Sequence, residues 1–146
     1  MPTGLSRLTG PFGYGYVHFV AYRLLAKYPE YNISVINTGI SGDTYQLTYK
    51  RLLSLVKEKY NCRLILMEPF MFCDDKSNPA YKSLLQYIDA VGALAEKFDA
   101  VLVPMQEMID KKIKQVPPEE FSDDMVHPYV WAHAWIAECW LEATKL

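Results

Sequence analysis

The sequence lacks any strong imbalance of charge. Its 146 residues carry 15 lysines and arginines against 17 aspartates and glutamates, for a formal net charge of -2 at pH 7. Because these charges are scattered along the chain, there is neither a basic patch of the kind that binds nucleic acid nor an acidic tail. We therefore expect a small-molecule ligand and no nucleic-acid partner.

Long apolar runs are lacking as well. No stretch approaches the roughly 18 consecutive apolar residues needed to span a bilayer. The start of the chain, MPTGLSRLTGPFG, has no charged segment followed by an apolar one, as a secretory signal would have. We therefore expect a soluble cytoplasmic protein with no membrane partner.

Cysteines are few and do not form a pattern. Cys62, Cys73 and Cys139 are odd in number and far apart, in apolar or helical surroundings. This favours reduced, buried thiols over a disulfide framework.

Helical and strand patterns alternate along the chain. Apolar residues at helical spacing predict helices over residues 14–28, 44–60, 79–98 and 129–143, with a shorter helical piece near 108–113. Short apolar runs predict strands, buried on both faces, at residues 33–37, 63–67 and 100–103. The alternation predicts a single α/β domain over residues 1–146, with a parallel sheet covered by helices on both faces.

The first candidate site is the segment NTGISGDT, residues 37–44, which leaves a predicted strand and enters a predicted helix. Ligands of open α/β sheets gather at this end of the strands. Gly42 can turn its N–H toward a developing negative charge, because no Cβ blocks close approach. The alternative is a tight turn in which Gly39 and Gly42 only satisfy backbone angles. The glycine spacings of phosphate-binding and dinucleotide-binding loops are absent.

The second candidate site is the segment SDDMVHP, residues 122–128. Asp124 and His127 lie three residues apart in a predicted loop, so the carboxylate can accept a hydrogen bond from one imidazole nitrogen while the other faces a substrate or nucleophile. Pro128 disfavours a helical conformation at His127 and keeps the pair in the loop. The alternative is a surface turn with an exposed histidine.

Other polar residues are weaker candidates. His127 and His133 with Asp123 and Asp124 make a poor metal site, because the spacing is not His-x-x-x-His and no second cluster supplies further ligands. We interpret Glu68, which follows a predicted strand, as a capping or loop-bonding residue.

Together and in this order, the two segments resemble the second and fifth sequence blocks of the SGNH hydrolase superfamily of GDSL-type lipases and esterases. NTGISGDT is similar to the Asn-x-Gly-x-x-Gly block, and DMVHP to the Asp-x-x-His-Pro block. The similarity runs from about residue 13 to the C-terminus, through the segments FGYGYV, LILMEPF and AEKFDAVLVPMQ.

The resemblance implies both a fold and a chemistry. The fold would be a three-layer α/β/α, flavodoxin-like SGNH hydrolase domain. The reaction would be the hydrolysis of carboxylic esters, often acetyl esters on carbohydrates, with no metal or organic cofactor. In this chain Gly42 would donate an oxyanion-hole N–H, His127 would be the base, and Asp124 would orient it.

Two blocks of that family are not found. The Gly-Asp-Ser block with the nucleophilic serine should precede the FGYGYV helix. Ser6 is the nearest candidate by order but has no apolar strand before it, and Ser41, next to Gly42, is at most a substitute. The Gly-x-Asn-Asp block, whose asparagine completes the oxyanion hole, should lie between NTGISGDT and LILMEPF, where the sequence has room for one helix only. We therefore expect an incomplete domain without its two central strands, and weak or absent esterase activity.

Two further expectations follow from this loss. Exposed strand edges invite pairing with a second copy of the chain, which would give a homo-oligomer. The main alternative to an esterase is a non-catalytic ligand-binding or interaction domain derived from the same fold, and a third hypothesis is an incomplete product of a longer coding sequence.

Overall fold

The computed structural model describes residues 15–31, 33–35, 46–60 and 62–146. Within these residues the helices are α1 (Tyr16–Lys27), α2 (Gln46–Lys59), α3 (Pro79–Phe98), α4 (Met105–Lys112) and α5 (Val130–Thr144), with a short 3₁₀ helix at Pro118–Glu120. The strands are β1 (Ile65–Met67), between α2 and α3, and β2 (Val101–Val103), between α3 and α4. The predicted α/β class is confirmed.

The two strands pair in parallel, as the alternation of elements predicted. Ile65 lies opposite Val101, and Met67 lies opposite Val103. Hydrogen bonds from the Val101 N–H to the Leu64 carbonyl and from the Glu68 N–H to the Val103 carbonyl extend the pairing by one residue of β1 at each end. The carboxyl ends of both strands therefore lie at the same end of the sheet. The second candidate site lies at this end, in contact with the segment that follows β1.

The crossover helix α3 has the bounds that the sequence predicted. Its start is fixed locally, because the Asn78 side chain accepts a hydrogen bond from the Ala80 N–H at 2.9 Å and Pro79 fits the first helical turn. Its end is fixed by Asp99, whose φ of 51° takes the backbone out of the helix.

The strand predicted at residues 33–37 is not a strand over the part that is described. Residues 33–35 have no regular structure, Ser34 is exposed, and residues 36 and 37 lie outside the described residues. A parallel strand needs a neighbour to hold its hydrogen bonds, and among the described residues β1 and β2 pair with each other and not with residues 33–35. Within the described residues the sheet therefore has two strands, not three.

Three apolar clusters form the core of the described residues, and the smallest consists of Met71, Cys73 and Tyr81. The first joins the segment after β1, α4 and α5, and consists of Phe72, Met105, Ile109, Phe121, Ala132, Ile136 and Cys139. The second joins α2, β1 and α3, and consists of Leu53, Leu64, Leu66, Val91, Ala95 and Phe98. Helix α1 packs mainly against α5. The first cluster lies directly beneath the second candidate site.

The cysteines do not all lie in the core. Cys73 and Cys139 are buried free thiols, as predicted, and burial raises the pKa of Cys139 to about 11. Cys62 is exposed, which corrects the prediction that it is buried. It follows the end of α2, in a connection that runs over the surface toward β1.

Membrane-spanning helices are absent from the part of the chain that is described, since none of its helices has both the length and the apolar character required.

Candidate active site

The loop between the 3₁₀ helix and α5 is closed at its base and attached to the rest of the molecule. The Tyr129 N–H donates to the Phe121 carbonyl at 2.8 Å, which brings the two ends of the loop together. The Phe72 N–H, from the segment after β1, donates to the Met125 carbonyl at 2.9 Å. The rings of Phe72 and Phe121 stack with centroids 5.0 Å apart. The loop with Asp124 and His127 is thus seated on the first apolar cluster.

Asp124 and His127 are in direct contact within this loop. The Nδ1 atom of His127 lies 2.6 Å from Oδ2 of Asp124. The other carboxylate oxygen, Oδ1, accepts hydrogen bonds from the Ser122 hydroxyl at 2.9 Å, from the Val126 N–H at 2.9 Å and from the His127 N–H at 2.8 Å. The carboxylate is therefore fixed by three donors on one oxygen and is free to hold the imidazole with the other.

The pair shifts the ionisation of both of its members. Hydrogen bonds from the His127 backbone N–H, the His127 ring and the Val126 N–H hold the pKa of Asp124 well below its usual range. The hydrogen bond to Asp124, aided by the negative charge of that carboxylate, raises the pKa of His127. Asp124 is thus ionised at neutral pH, and Nδ1 of His127 carries the proton that it shares with the carboxylate.

The outer face of the histidine is open. Its side chain is 84% exposed, whereas that of Asp124 is 49% exposed. With Nδ1 directed at Asp124, the Nε2 atom faces solvent and is accessible to a small molecule. This arrangement has the short internal hydrogen bond that a histidine base requires, and it also has the exposed ring of the surface-turn alternative.

The first candidate site and the two serines considered as nucleophiles fall in parts of the chain that the structure does not describe. Gly39, Ser41 and Gly42 lie in residues 36–45, and Ser6 lies in residues 1–14, all outside the described residues. The role of Gly42 as an oxyanion donor, which the family resemblance implies, therefore stays a prediction.

Glu68 and His133 have structural surroundings. Glu68 is buried and accepts a hydrogen bond from the Gln106 N–H at 3.3 Å, so it caps the start of α4, and burial raises its pKa. His133 lies in α5, and burial lowers its pKa. Among the described residues, no group of three or more histidine, cysteine, aspartate and glutamate side chains is arranged to hold a metal ion.

No pattern in the sequence indicates the residues that hold the loop in place. Phe72 and Met125 meet across 53 positions of sequence, and neither belongs to a recognisable motif. Ser122 is the first residue of the segment SDDMVHP. Its position two residues before Asp124 is typical of a hydroxyl that donates a hydrogen bond to a neighbouring carboxylate.

Comparisons with known proteins agree with the fold and the motifs. No protein-family model matches the chain. An acetylxylan esterase of Geobacillus stearothermophilus is 26% identical over 178 residues, which take in 90% of this chain and 81% of that protein. The crystal structure of Axe2, an acetylxylan esterase of the same organism, matches with a TM-score of 0.80 at 27% identity, covering 94% of this chain and 84% of that one.

A more distant solved structure has the same fold. LAE5, an α/β hydrolase enzyme from the metagenome of Lake Arreo, Spain, is 21% identical and matches with a TM-score of 0.77, covering 93% of this chain and 85% of that one. The described architecture is accordingly the α/β hydrolase fold of these proteins, with a shortened sheet. The chain is a homologue of the Geobacillus acetylxylan esterase, and this homology supports its resemblance to the SGNH hydrolase superfamily.

The solved structures of Axe2 include catalytic mutants, which allow one comparison of spacing. They replace a serine near the start of that enzyme, an aspartate, and a histidine three residues after the aspartate. Asp124 and His127 have the same order and the same separation of three residues.

The alignment with the curated relative also reveals an internal shortening. Its span of 178 residues exceeds the 146 residues of this chain by 32, so at least that many positions of the alignment have no counterpart here. A strand with its crossover helix takes about 30 residues. The shortening is therefore large enough to account for the missing unit with the Gly-x-Asn-Asp block.

Proposed function

We propose that this chain is a carboxylic ester hydrolase of the SGNH type that acts on acetylated carbohydrate, with His127 as its general base and Asp124 as the residue that orients it. The observation that carries the proposal is the 2.6 Å contact between Nδ1 of His127 and Oδ2 of Asp124, with the opposite side of the ring exposed. The homologous acetylxylan esterase supports the substrate class.

The geometry supports a definite division of labour. With its Nδ1 proton held by Asp124, the imidazole has its lone pair on Nε2 and can take a proton from a hydroxyl nucleophile or from water. The imidazolium that forms is stabilised by the carboxylate, which stays ionised because its pKa is low. We propose Gly42 as the N–H donor to the oxyanion, on the basis of its sequence block.

The missing blocks limit the rate that we expect. Loss of one oxyanion donor costs about 2.7 to 4 kcal/mol of transition-state stabilisation, or a factor of about 10² to 10³ in kcat. Because no serine of the chain is assigned as nucleophile, we expect much slower hydrolysis than in a complete enzyme of this fold.

A direct assay tests the proposal. The chain should release acetate from an acetylated xylooligosaccharide, and a fluorophosphonate probe should label it if a serine is the nucleophile. His127→Ala should abolish acetate release. Failure to release acetate and failure to label, in a folded sample, would contradict an autonomous serine esterase.

The non-catalytic alternative is favoured by the internal shortening of at least 32 positions. Under this hypothesis the candidate site binds an acyl or sugar ligand without turning it over. An acetylated xylooligosaccharide should then raise the melting temperature by the same amount in the unmodified protein and in His127→Ala. Residual catalysis, in contrast, should vanish in that variant.

We also propose that a second copy of the chain covers the outer edge of β1. The Leu64 carbonyl and the Glu68 N–H face β2, so alternation directs the backbone groups of Ile65 and Met67 to the other edge. No strand among the described residues pairs with that edge.

For the location of the protein in the cell, the sequence supports only the expectation that it is cytoplasmic.

A further inference from the structure

The loop with Asp124 and His127 depends on the segment after β1 for its shape. Met125 has a φ of 68°, a left-handed conformation that residues other than glycine seldom adopt, and it lies between Asp124 and His127. Its carbonyl is fixed in that orientation by the Phe72 N–H at 2.9 Å. Any shift of Phe72 would therefore release the backbone turn that brings the two candidate catalytic residues together.

The backbone next to Phe72 is held by one side chain. Oε1 of Gln106 accepts a hydrogen bond from the Met71 N–H at 2.8 Å, and Nε2 of Gln106 donates to the Met71 carbonyl at 3.1 Å. The amide thus satisfies both backbone groups of Met71, as an adjacent strand would. Gln106 is only 4% exposed, so water does not compete easily for these bonds.

The orientation of the Gln106 amide is itself determined. Its Nε2 also donates to Oδ1 of Asp110 at 2.7 Å. Asp110 is held in turn by Lys76, whose Nζ lies 2.7 Å from Oδ1, and by the Tyr81 hydroxyl, which donates to Oδ2 at 3.0 Å. Because a carboxylate accepts and does not donate, the nitrogen of the amide must face Asp110 and the oxygen must face the Met71 N–H.

We propose that Gln106 is a positioning residue for the candidate base His127. Its amide fixes Met71, the Phe72 N–H next to it fixes the Met125 carbonyl, and this turn holds Asp124 and His127 within hydrogen-bonding distance. Gln106 touches neither residue of the pair and acts through the backbone of two intervening segments. The inference rests on the proposed function for its catalytic meaning, but its geometric content can be tested without any hydrolysis.

The test is the replacement of Gln106 by methionine, which keeps the length of the side chain and removes its hydrogen bonds. The ring nitrogens of His127 are followed by NMR as a function of pH. In Gln106→Met the pKa of His127 should fall toward the ordinary value for histidine and the signature of the Nδ1 hydrogen bond should weaken. The charged neighbours, Asp123 and Asp124, are unchanged by this substitution.

Two controls separate positioning from general damage. Gln86, exposed on α3, receives the same replacement and should leave His127 unaffected. The titration of His133, which is half-buried in α5, should stay as it is in the unmodified protein if the core is intact. An unchanged His127 in a folded Gln106→Met would overturn the proposal.

A measurement on the unmodified protein covers the case in which Gln106→Met does not fold. The Phe72 amide proton should shift with pH with its inflection at the pKa of His127, because it bonds the carbonyl next to Asp124. If that proton does not sense the titration, the proposed connection does not exist and the proposal fails.

Hydrolysis distinguishes this proposal from the proposed function. Where the unmodified chain releases acetate, Gln106→Met should lower kcat by about 10²-fold, the usual effect of misplacing a catalytic group by about 1 Å, with KM little changed. If the unmodified chain releases no acetate but the pKa of His127 still falls in Gln106→Met, the proposed function is refuted and the positioning role is supported. If the unmodified chain is active and neither the pKa of His127 nor kcat changes in Gln106→Met, the proposed function is supported and the positioning role is refuted.

Discussion

At the scale of single residues, Asp124 determines the chemistry of the candidate site. One of its oxygens is occupied by three donors and the other by the His127 ring, so the residue is both a turn former and the partner of the candidate base. A neighbouring aspartate, Asp123, is exposed and offers a matched comparison, since its replacement removes the same charge without these hydrogen bonds.

Asp124→Asn should uncouple the pair. The amide can still accept some backbone hydrogen bonds, but it cannot stabilise a protonated imidazole, so the pKa of His127 should fall. Acetate release should drop by about 10²- to 10⁴-fold, the usual contribution of acid–base catalysis. NMR titration of the ring and steady-state kinetics check this, with Asp123→Asn as the control. Equal losses in both variants would contradict a specific role for Asp124.

The pH dependence of hydrolysis should follow His127. The ring acts as a base only when it is unprotonated, and its pKa is raised above the ordinary value of about 6.5. We therefore expect kcat/KM to rise with pH through an inflection that lies above 6.5. A profile measured from pH 5 to pH 9 checks this, and an inflection below the ordinary histidine value would argue against a base paired with Asp124.

The same pair stabilises the fold in a different pH range. The raised pKa of His127 contributes stability below the unfolded value of about 6.5, and this contribution is lost as the pH rises through the folded value. The lowered pKa of Asp124 contributes above about 3.9, and this is lost as the pH falls through its folded value. The melting temperature lost in Asp124→Asn should therefore be greatest between about pH 4 and 6.5.

At the scale of elements, the aromatic contact between Phe72 and Phe121 joins the segment after β1 to the start of the loop. Both side chains are fully buried, and their rings stack with an angle of 16°. The contact is therefore expected to contribute both to stability and to the placement of the loop.

Phe121→Ala should lower the free energy of unfolding by about 3 to 5 kcal/mol, because it leaves a cavity beneath the loop. Leu85→Ala on the exposed face of α3 should change it by about 0.5 kcal/mol or less. Urea unfolding measures both. A small effect of Phe121→Ala would mean that the loop collapses into the space or that the stack is loose.

The predictability of each element depended on whether its ends are set locally. Helix α3 could be placed because Asn78, Pro79 and Asp99 mark its ends within a few residues. Helix α4 begins at Met105, three residues before the predicted piece, because its first turn is capped by Glu68, which is distant in sequence. Residues 33–37 are of the types that are common in strands. A strand also needs a neighbouring strand to pair with, and residue types alone do not predict one.

At the scale of the whole molecule, the candidate site was predicted where it rests on a short motif and missed where it rests on packing. Asp124 and His127 are three residues apart, so their contact follows from local geometry. Gln106, Phe72 and Met125 come together only after β1, α4 and the loop have packed. No spacing in a single sequence encodes such a contact.

The exposure of the cysteines provides a test of the global fold. In the native state one thiol, that of Cys62, should react with a thiol reagent, while Cys73 and Cys139 should react only after unfolding. The raised pKa of Cys139 slows its reaction further, because the thiolate is the reactive form. Counting labelled thiols by mass spectrometry checks this. Rapid labelling of Cys139 in the native state would mean that the first apolar cluster is open.

The solvent exposure of the His127 ring determines which control a measurement of the proposed hydrolysis requires. A ring that is 84% exposed resembles dissolved imidazole, which attacks activated aryl esters without any enclosing cleft. The rate of this background hydrolysis would increase linearly with ester concentration and would not depend on whether the acetyl group is attached to a sugar. Saturation, and a preference for acetyl groups on a carbohydrate over aryl acetate, are the properties that an enclosing cleft would add to an exposed ring.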